Sequence, residues 1–432
     1  MLTDENPPPP RGSSEGVERR GGPEAHGLET GFMLVPNHLD PSLIASGSDR
    51  AMHILIGQLT TGAPRLLRAQ ASASSRLLST SRVVAQKHKV LLLDEVRLAK
   101  SQLAQLSNAA TVIESSATTR AELIQKFKTG GEYADVVGIY RHFGAARSVK
   151  ITGRFDQELV EQLPKSLRYI VHNGAGYDQL DVAALSQRRI QASNVPTAVD
   201  DATSDVALYL LLGAIRRFPL ARAHMDKGSF NSAFPFLEAH DPRAKTLGIV
   251  GAGGIGRAFA YKASHALGMK VIYHNRNRLD PKLEAEAAKG GMEYFASLDD
   301  LLARSDVVSL HCPLTPATKG LIGTHQLHKM KKSAILINTA RGPVVKEQEL
   351  AQALEQGVIA GAGLDVFEAE PKIHEQLLAL KDSKVELLPH VGTLTLETQT
   401  EMEAVCLRNL LQGLQTGKLA FTVPEQTDVD FS

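Results

Sequence analysis

The 432-residue chain has no tryptophan and only two cysteines, Cys312 and Cys406. They stand far apart and outside any metal-ligand spacing, which excludes a disulfide framework and points to a reducing compartment. Charge of one sign is also missing: 48 Lys and Arg face 47 Asp and Glu. That balance excludes the basic footprint of a nucleic-acid binder, so a small anion would have to be held by a local arrangement. No apolar run reaches the roughly 20 residues that a membrane-crossing helix needs; a soluble protein without a membrane partner is expected. A further absence is local. From Ala51 through Leu93 there is no Asp or Glu, while Arg65, Arg68, Arg76 and Arg82 recur among Leu, Ala, Ser and Thr. An acid-free, arginine- and serine-rich stretch has the composition of a mitochondrial transit peptide. Asp4, Glu5, Glu15 and Glu18 precede it, which makes Met52 a candidate start. The other reading is a disordered tail that lacks acids by accident. Targeting implies the mitochondrial matrix, and the alternative implies the cytoplasm.

What is present is enough for two domains with separate cores. Residues 1–30, with Pro7 to Pro10 and scattered glycines and charges, have too little apolar surface to offset the entropy of ordering. Segment 1–85 is therefore set apart as disordered or targeting. Order is expected from "KHKVLLLD", where Val90 to Leu93 form a short apolar run, and further strand-like runs follow in "ADVVGIY" and "LRYIVHNG". After the long apolar segment ending "LLLGAIRRF", a second alternating series runs through "KTLGIVGAGGIG", "KVIYHN", "DVVSLHCPL", "AILINTA", "IAGAGLDV" and "VELLPHVG". Strands alternating with helices imply parallel sheets. The fold class is α/β: two doubly wound parallel-sheet domains, the second a Rossmann dinucleotide-binding domain inserted in the first. The boundaries read as 86–217 and 393–432 for a flavodoxin-like substrate domain and 218–392 for the cofactor domain. The closing segment, with Val405, Leu407, Leu410 and Leu411 at helical spacing, is expected to return to the first domain.

Gly251, Gly253 and Gly256 form G-x-G-x-x-G between the strand-like Leu247 to Val250 and a helix. The first glycine allows the tight turn, the second lets backbone approach a pyrophosphate, and the third permits close helix–strand contact. The helix start near Gly254 and Ile255 offers free N–H groups to the anion. At the end of the next strand an Asp or Glu would accept from the adenosine ribose, but here stand Asn275, Arg276, Asn277 and Arg278. Without the carboxylate a 2′-phosphate is not repelled, and a guanidinium can pair with it. NADP is thus favoured, with NAD possible. The bland alternative is a solvated surface loop used with both cofactors.

Three more segments follow apolar runs, where a doubly wound fold places its ligand. Arg341 follows Ala334 to Asn338, Glu370 follows "AGAGLDVF", and His390 follows "VELLP". Each alone reads as ordinary: a loop arginine, a solvated glutamate, a satisfied core histidine. Together after a cofactor cradle they suit reduction of a 2-oxo acid. Histidine can give a proton to the forming alkoxide near neutral pH, and a carboxylate beside it favours its charged form and fixes its tautomer. Arginine can bind the substrate carboxylate and polarise the carbonyl. The hydride would come from the nicotinamide, so no metal is needed.

On these motifs, in this order, residues 88 to 425 resemble the D-isomer-specific 2-hydroxyacid dehydrogenase family, most closely its glyoxylate and hydroxypyruvate reductases. The resemblance implies that Arg341, Glu370 and His390 are the catalytic trio. It implies that Asp365 contacts the nicotinamide carboxamide and that the amides of Ala175 and Gly176 hold the substrate carboxylate. Pro313, Thr315 and Thr318 would line the adenosine side, with Thr339 a cofactor contact beside the arginine. A homodimer is implied as well. Leu394 departs from the smaller residue common after the family's histidine, which bears on pocket shape. The expected reaction is NAD(P)H-dependent reduction of glyoxylate and hydroxypyruvate. A bulkier aromatic or branched 2-oxo acid is the alternative substrate. A nucleotide-sensing corepressor, a role the fold serves in related proteins, would tolerate loss of the trio.

Overall fold

Apolar runs too short for helices become parallel strands buried on both faces, which is why they read as continuous rather than alternating. The computed structural model describes residues 87–144, 146–230 and 238–431, all within the unit Arg82–Ser432. The expected disordered or targeting segment 1–85 lies outside the described residues. Five strands form the first sheet: β1 (Lys89–Leu92), β2 (Thr111–Glu114), β3 (Val136–His142), β4 (Tyr169–Asn173) and β5 (Gln191–Ser193). Their order is β2-β1-β3-β4-β5, every pair parallel. That is the flavodoxin-like winding, with its switch point between β1 and β3.

Seven strands form the second: β6 (Thr246–Val250), β7 (Lys270–His274), β8 (Met292–Tyr294), β9 (Val307–Leu310), β10 (Ile335–Asn338), β11 (Gly361–Leu364) and β12 (Val385–Leu387). The order β12-β11-β10-β9-β6-β7-β8, again all parallel, is the Rossmann winding extended by one strand. Its chain order reverses between β6 and β9, so a crevice opens beyond the carboxyl ends of those two strands.

Two long helices show how the sheets are divided. The closing helix Leu396–Thr416 starts at Thr395, whose side chain accepts from the Thr398 N–H, and stops at Gly417 with φ +80°. Its Met402, Leu407 and Leu410 pack with Val90, Tyr140 and Val171 of the first sheet. Gly138 in β3 makes room, because a Cβ there would lie 2.7 Å from Leu410 Cδ1. The helix Asp200–Ile215 goes the other way. Leu210 and Leu211 are buried with Leu247, Ile249 and Ile337 of the second sheet, and Gly363 in β11 would bring a Cβ within 2.8 Å of Leu210 Cβ. The expected boundary at 217 therefore falls too late: this helix packs with the cofactor sheet, and the division by packing comes before Asp200.

Candidate functional site

The glycine loop leaves β6 at the switch point. Gly251 has φ +98°, and a Cβ there would lie 2.5 Å from the Cys312 amide nitrogen; at Gly256 a Cβ would lie 2.4 Å from the Gly251 carbonyl oxygen. Side chains are sterically excluded at both positions. Gly253 differs, since a Cβ would meet nothing within 4 Å. It heads the helix Gly254–Leu267 with no side-chain cap, so the first-turn N–H groups, including those of Gly254 and Ile255, have no capping side chain. Uncapped donors beneath an open glycine suit a pyrophosphate.

At the end of β7 the four polar residues divide their tasks. Asn275 Oδ1 accepts from the Ala252 N–H at 2.7 Å, so this side chain braces the glycine loop and keeps only its amide N–H groups for a ligand. Arg278 makes two bonds to Glu284, at 2.8 and 2.9 Å, and Tyr273 donates to the same carboxylate. Those bonds, Arg278 first, pull the Glu284 pKa down to about 2. Arg276 is exposed and, among the described residues, has no hydrogen-bond or ionic partner. Of the two arginines read from the sequence, one is neutralised within the protein and one is available.

Beyond β9, Thr318 Oγ1 donates to the Pro313 carbonyl at 2.6 Å and accepts from the Thr315 N–H at 2.8 Å, folding that loop into a turn. Pro313, Thr315 and Thr318 do not line the cleft described next. His311 is half-buried, and desolvation lowers its pKa to about 3. The neutral ring bridges Ser309 Oγ at 2.9 Å and Thr339 Oγ1 at 3.3 Å, fixing the threonine at the edge of the cleft.

A cleft is lined from both sheets, by Ala175 and Gly176 after β4 and by Thr339, Arg341, Asp365 and His390 from the second sheet. Arg341 is held at three points. Its Nε donates to Asp178 Oδ1 at 2.9 Å, and Nη1 donates to the Ala340 carbonyl at 2.8 Å. Nη2 lies so close to Gly176 that a Cβ there would sit 1.8 Å away. His390 has φ +58°, a left-handed conformation uncommon outside glycine. Asp365 supports it by accepting the N–H groups of Val391 and Gly392, both at 2.8 Å. Burial raises the Asp365 pKa despite those bonds. His390 Nδ1 is 2.8 Å from Glu370 Oε2, and Glu370 Oε1 accepts from the Phe367 N–H at 3.0 Å. For Glu370 burial works upward, but the His390 and Phe367 bonds and the charges of His390 and Arg341 outweigh it and hold the carboxyl below its usual range. The Phe143 ring packs 5.7 Å from the imidazole, centre to centre.

Arg341 and His390 thus face one cleft, with Glu370 bonded to the imidazole. Such a set can bind a carboxylate, polarise a carbonyl and deliver a proton. A dehydrogenase family model, described as "D-isomer specific 2-hydroxyacid dehydrogenase, NAD binding domain", matches residues 208–392. A 4-methyl-2-oxopentanoate reductase A of Aspergillus oryzae is 43% identical over 339 residues, 78% of this chain and 98% of that protein. The chain belongs to the D-isomer specific 2-hydroxyacid dehydrogenase family. It is an oxidoreductase with a nicotinamide-binding Rossmann domain. Among solved structures it is similar to a glyoxylate reductase from Paecilomyes thermophila, with 43% identity, a TM-score of 0.73, and coverage of 79% of this chain and 99% of that one. A second is an NADPH-dependent glyoxylate/hydroxypyruvate reductase from Sinorhizobium meliloti in complex with NADP and malonate. There the identity is 28%, the TM-score 0.66, and the coverage 79% and 98%.

Sequence reasoning missed Asp178, Phe143, Thr203 and Met402. Asp178 stands only two residues beyond Gly176, but its partner is 163 residues away. No local pattern connects the two.

Proposed function

We propose that the protein reduces small 2-oxo acids, glyoxylate and hydroxypyruvate, to D-2-hydroxy acids with NADPH. One observation supports this most: Arg341 and His390 line the same cleft as the Ala175–Gly176 loop. None of the Ala175, Gly176 and Tyr177 amide N–H groups donates to another described residue. These amides and Arg341 Nη2 are the donors offered to a substrate carboxylate, and the same guanidinium draws charge from the 2-oxo carbonyl. A carboxylate can only accept, so the Glu370 bond keeps the proton on His390 Nδ1 and leaves Nε2 to protonate the developing alkoxide. NADPH supplies the hydride when bound. The phosphate preference rests on Arg276, unpaired at the end of β7, where no carboxylate stands to repel a 2′-phosphate and the nearby Glu284 is occupied by Arg278. The working unit is read as a homodimer, supported by the exposed Phe218, Met225 and Phe230.

A second substrate class has its own support. Phe143, Ile255 and Met402 give the cleft apolar walls, which suit a branched or aromatic 2-oxo acid, and the Aspergillus relative is named for a branched one. The test is a panel of glyoxylate, hydroxypyruvate, 4-methyl-2-oxopentanoate and an aromatic 2-oxo acid with NADPH and NADH, run alongside His390→Gln. That variant should lose roughly 10²–10⁴-fold in turnover. Wild-type turnover by the variant, or no turnover of any acid by the native chain, refutes the reading.

A further inference from the structure

Beneath the substrate loop lies a charge that the reaction as described does not use. Arg141, near the end of β3, is 0% exposed. A buried cation is costly unless paired and hydrogen-bonded, yet no carboxylate bonds it among the described residues. Its Nη2 donates to Gln179 Oε1 at 2.7 Å, its Cζ lies 5.2 Å from the centre of the Phe155 ring, and its Nε has no partner. The nearest acids are committed elsewhere: Asp178 to Arg341, and Asp94 to the N–H groups of His142 and Ser148. Burial lowers the Arg141 pKa to about 10, which still leaves it charged at neutral pH.

The remaining contact runs to His172 in β4. His172 is fully buried, and burial followed by the Arg141 charge pushes its pKa well below the usual value, so the ring is neutral. Its Nδ1 is 3.5 Å from Arg141 Nη1 and its Nε2 is 3.0 Å from the Gly176 carbonyl oxygen. A guanidinium only donates and a carbonyl only accepts. The tautomer follows: Nδ1 is bare toward the arginine, and Nε2–H donates to Gly176. The neighbouring peptide is treated alike, since Asn194 Nδ2 donates to the Ala175 carbonyl at 2.7 Å. A trans peptide is planar, with C=O and N–H on opposite sides. Pinning the carbonyls of Ala175 and Gly176 from behind turns the N–H groups of Gly176 and Tyr177 away from those bonds. Gln179, the other partner of Arg141, also donates to the carbonyl of Phe143 on the cleft wall, at 3.3 Å.

We propose that Arg141 is a positioning residue for the substrate carboxylate: through His172 and Gln179 it sets the amide loop, and it holds a buried positive charge that the bound anion compensates. This rests on the 2-oxo acid reading above. Losing an interaction made equally in the ground and transition states raises KM and leaves kcat unchanged. In Arg141→Met the glyoxylate KM and the dissociation constant of oxamate, an unreactive carboxylate analogue titrated into the NADPH complex, should rise by roughly 10–100-fold. That is the range for losing hydrogen bonds to a charged group. NADPH binding and kcat should stay within about threefold.

His172→Leu should reproduce the substrate defect, and His172→Gln, whose amide can donate to Gly176, should restore most of it. Unchanged glyoxylate KM and oxamate binding in a folded Arg141→Met protein overturns the proposal. So does a parallel loss of NADPH binding, kcat and substrate affinity, which marks a structural role only. If Arg141→Met does not fold, the His172 pair decides: equal oxamate affinity in Leu and Gln variants overturns it, and rescue by Gln supports it. Failure of the native chain to reduce any 2-oxo acid is a separate result that refutes the functional reading, while the oxamate titration still tests the anchor without turnover.

Discussion

Removing the carboxylate of Asp178 tests how the cleft holds its arginine. Asp178 follows β4 of the first sheet and Arg341 follows β10 of the second, so their 2.9 Å bond crosses between the sheets. Both side chains are about a quarter exposed, at 24% and 25%. Two charges some 4 Å apart attract by about 4 kcal/mol at the effective dielectric of a protein surface, and partial exposure discounts that to about 1–2 kcal/mol. Charge is the smaller part of the expected effect. Of the three contacts that fix the guanidinium, the Asp178 bond alone is a side-chain contact, and it orients Nε so that Nη2 lies over Gly176. Displacement of a catalytic group by about 1 Å can cost roughly 10²-fold in rate. Asp178→Ala should therefore lower kcat/KM for glyoxylate by roughly 10–100-fold. Asp178→Asn keeps an acceptor oxygen without the charge and should lose less than about tenfold. Steady-state kinetics at saturating NADPH, with NADPH affinity measured separately, separates the two. Equal losses in Asn and Ala would show that charge and not orientation matters, and wild-type kinetics in Asp178→Ala would refute the bridge.

Gly176→Ala would place a methyl group 1.8 Å from Arg341 Nη2 and force the guanidinium aside; kcat/KM should fall by roughly 10²-fold with NADPH binding intact, as read from cofactor fluorescence. Arg276→Ala should lower kcat/KM with NADPH by roughly 10–100-fold and leave NADH kinetics unchanged, so an equal effect on both cofactors counts against the phosphate contact. For Glu284, held at about 2 in the folded protein against 4.5 as its reference, the folded pKa is depressed. Its stabilising contribution is present above the reference value and fades as pH falls toward 2. Urea midpoints of the native chain and Glu284→Gln should thus differ at pH 6 and draw together as pH falls to 2 and below, and a gap independent of pH refutes this linkage.

The strands that carry the site were legible because burial on both faces leaves little but apolar residues. β9 and β10 are buried throughout, and the glycine loop follows β6 where the turn geometry demands it. The helix Asp200–Ile215 was assigned to the wrong sheet for the same kind of reason. Apolar residues surround it so evenly that no face is marked, and the sequence carries no sign of which sheet it covers. β2, an edge strand of Thr, Val, Ile and Glu with no fully buried residue, gave too weak a pattern to be read. β3 was read as ending with the apolar run at Tyr140. It continues to His142 and carries Arg141 into the interior, where an arginine is rare unless paired.

Charge pairing was the least legible layer. Residue types at strand ends located Arg341, Glu370 and His390, since a doubly wound sheet presents its loops at one edge whatever the side chains do there. Which charge answers which is a matter of distance, and distance was not written in spacing. Arg276 and Arg278 stand two residues apart in one loop, yet Glu284 takes the second and leaves the first exposed. Arg141 lies in β3 of the first sheet and Arg341 follows β10 of the second, and the acid that answers Arg341, Asp178, leaves Arg141 without a carboxylate partner among the described residues. In the first pair the exposed Arg276 is the proposed contact for a 2′-phosphate, and in the second Arg141 holds an unanswered charge beneath the loop proposed to bind the substrate carboxylate. Composition records only that 48 bases nearly balance 47 acids. Recognition lies in where that balance fails locally, which only the folded chain reveals.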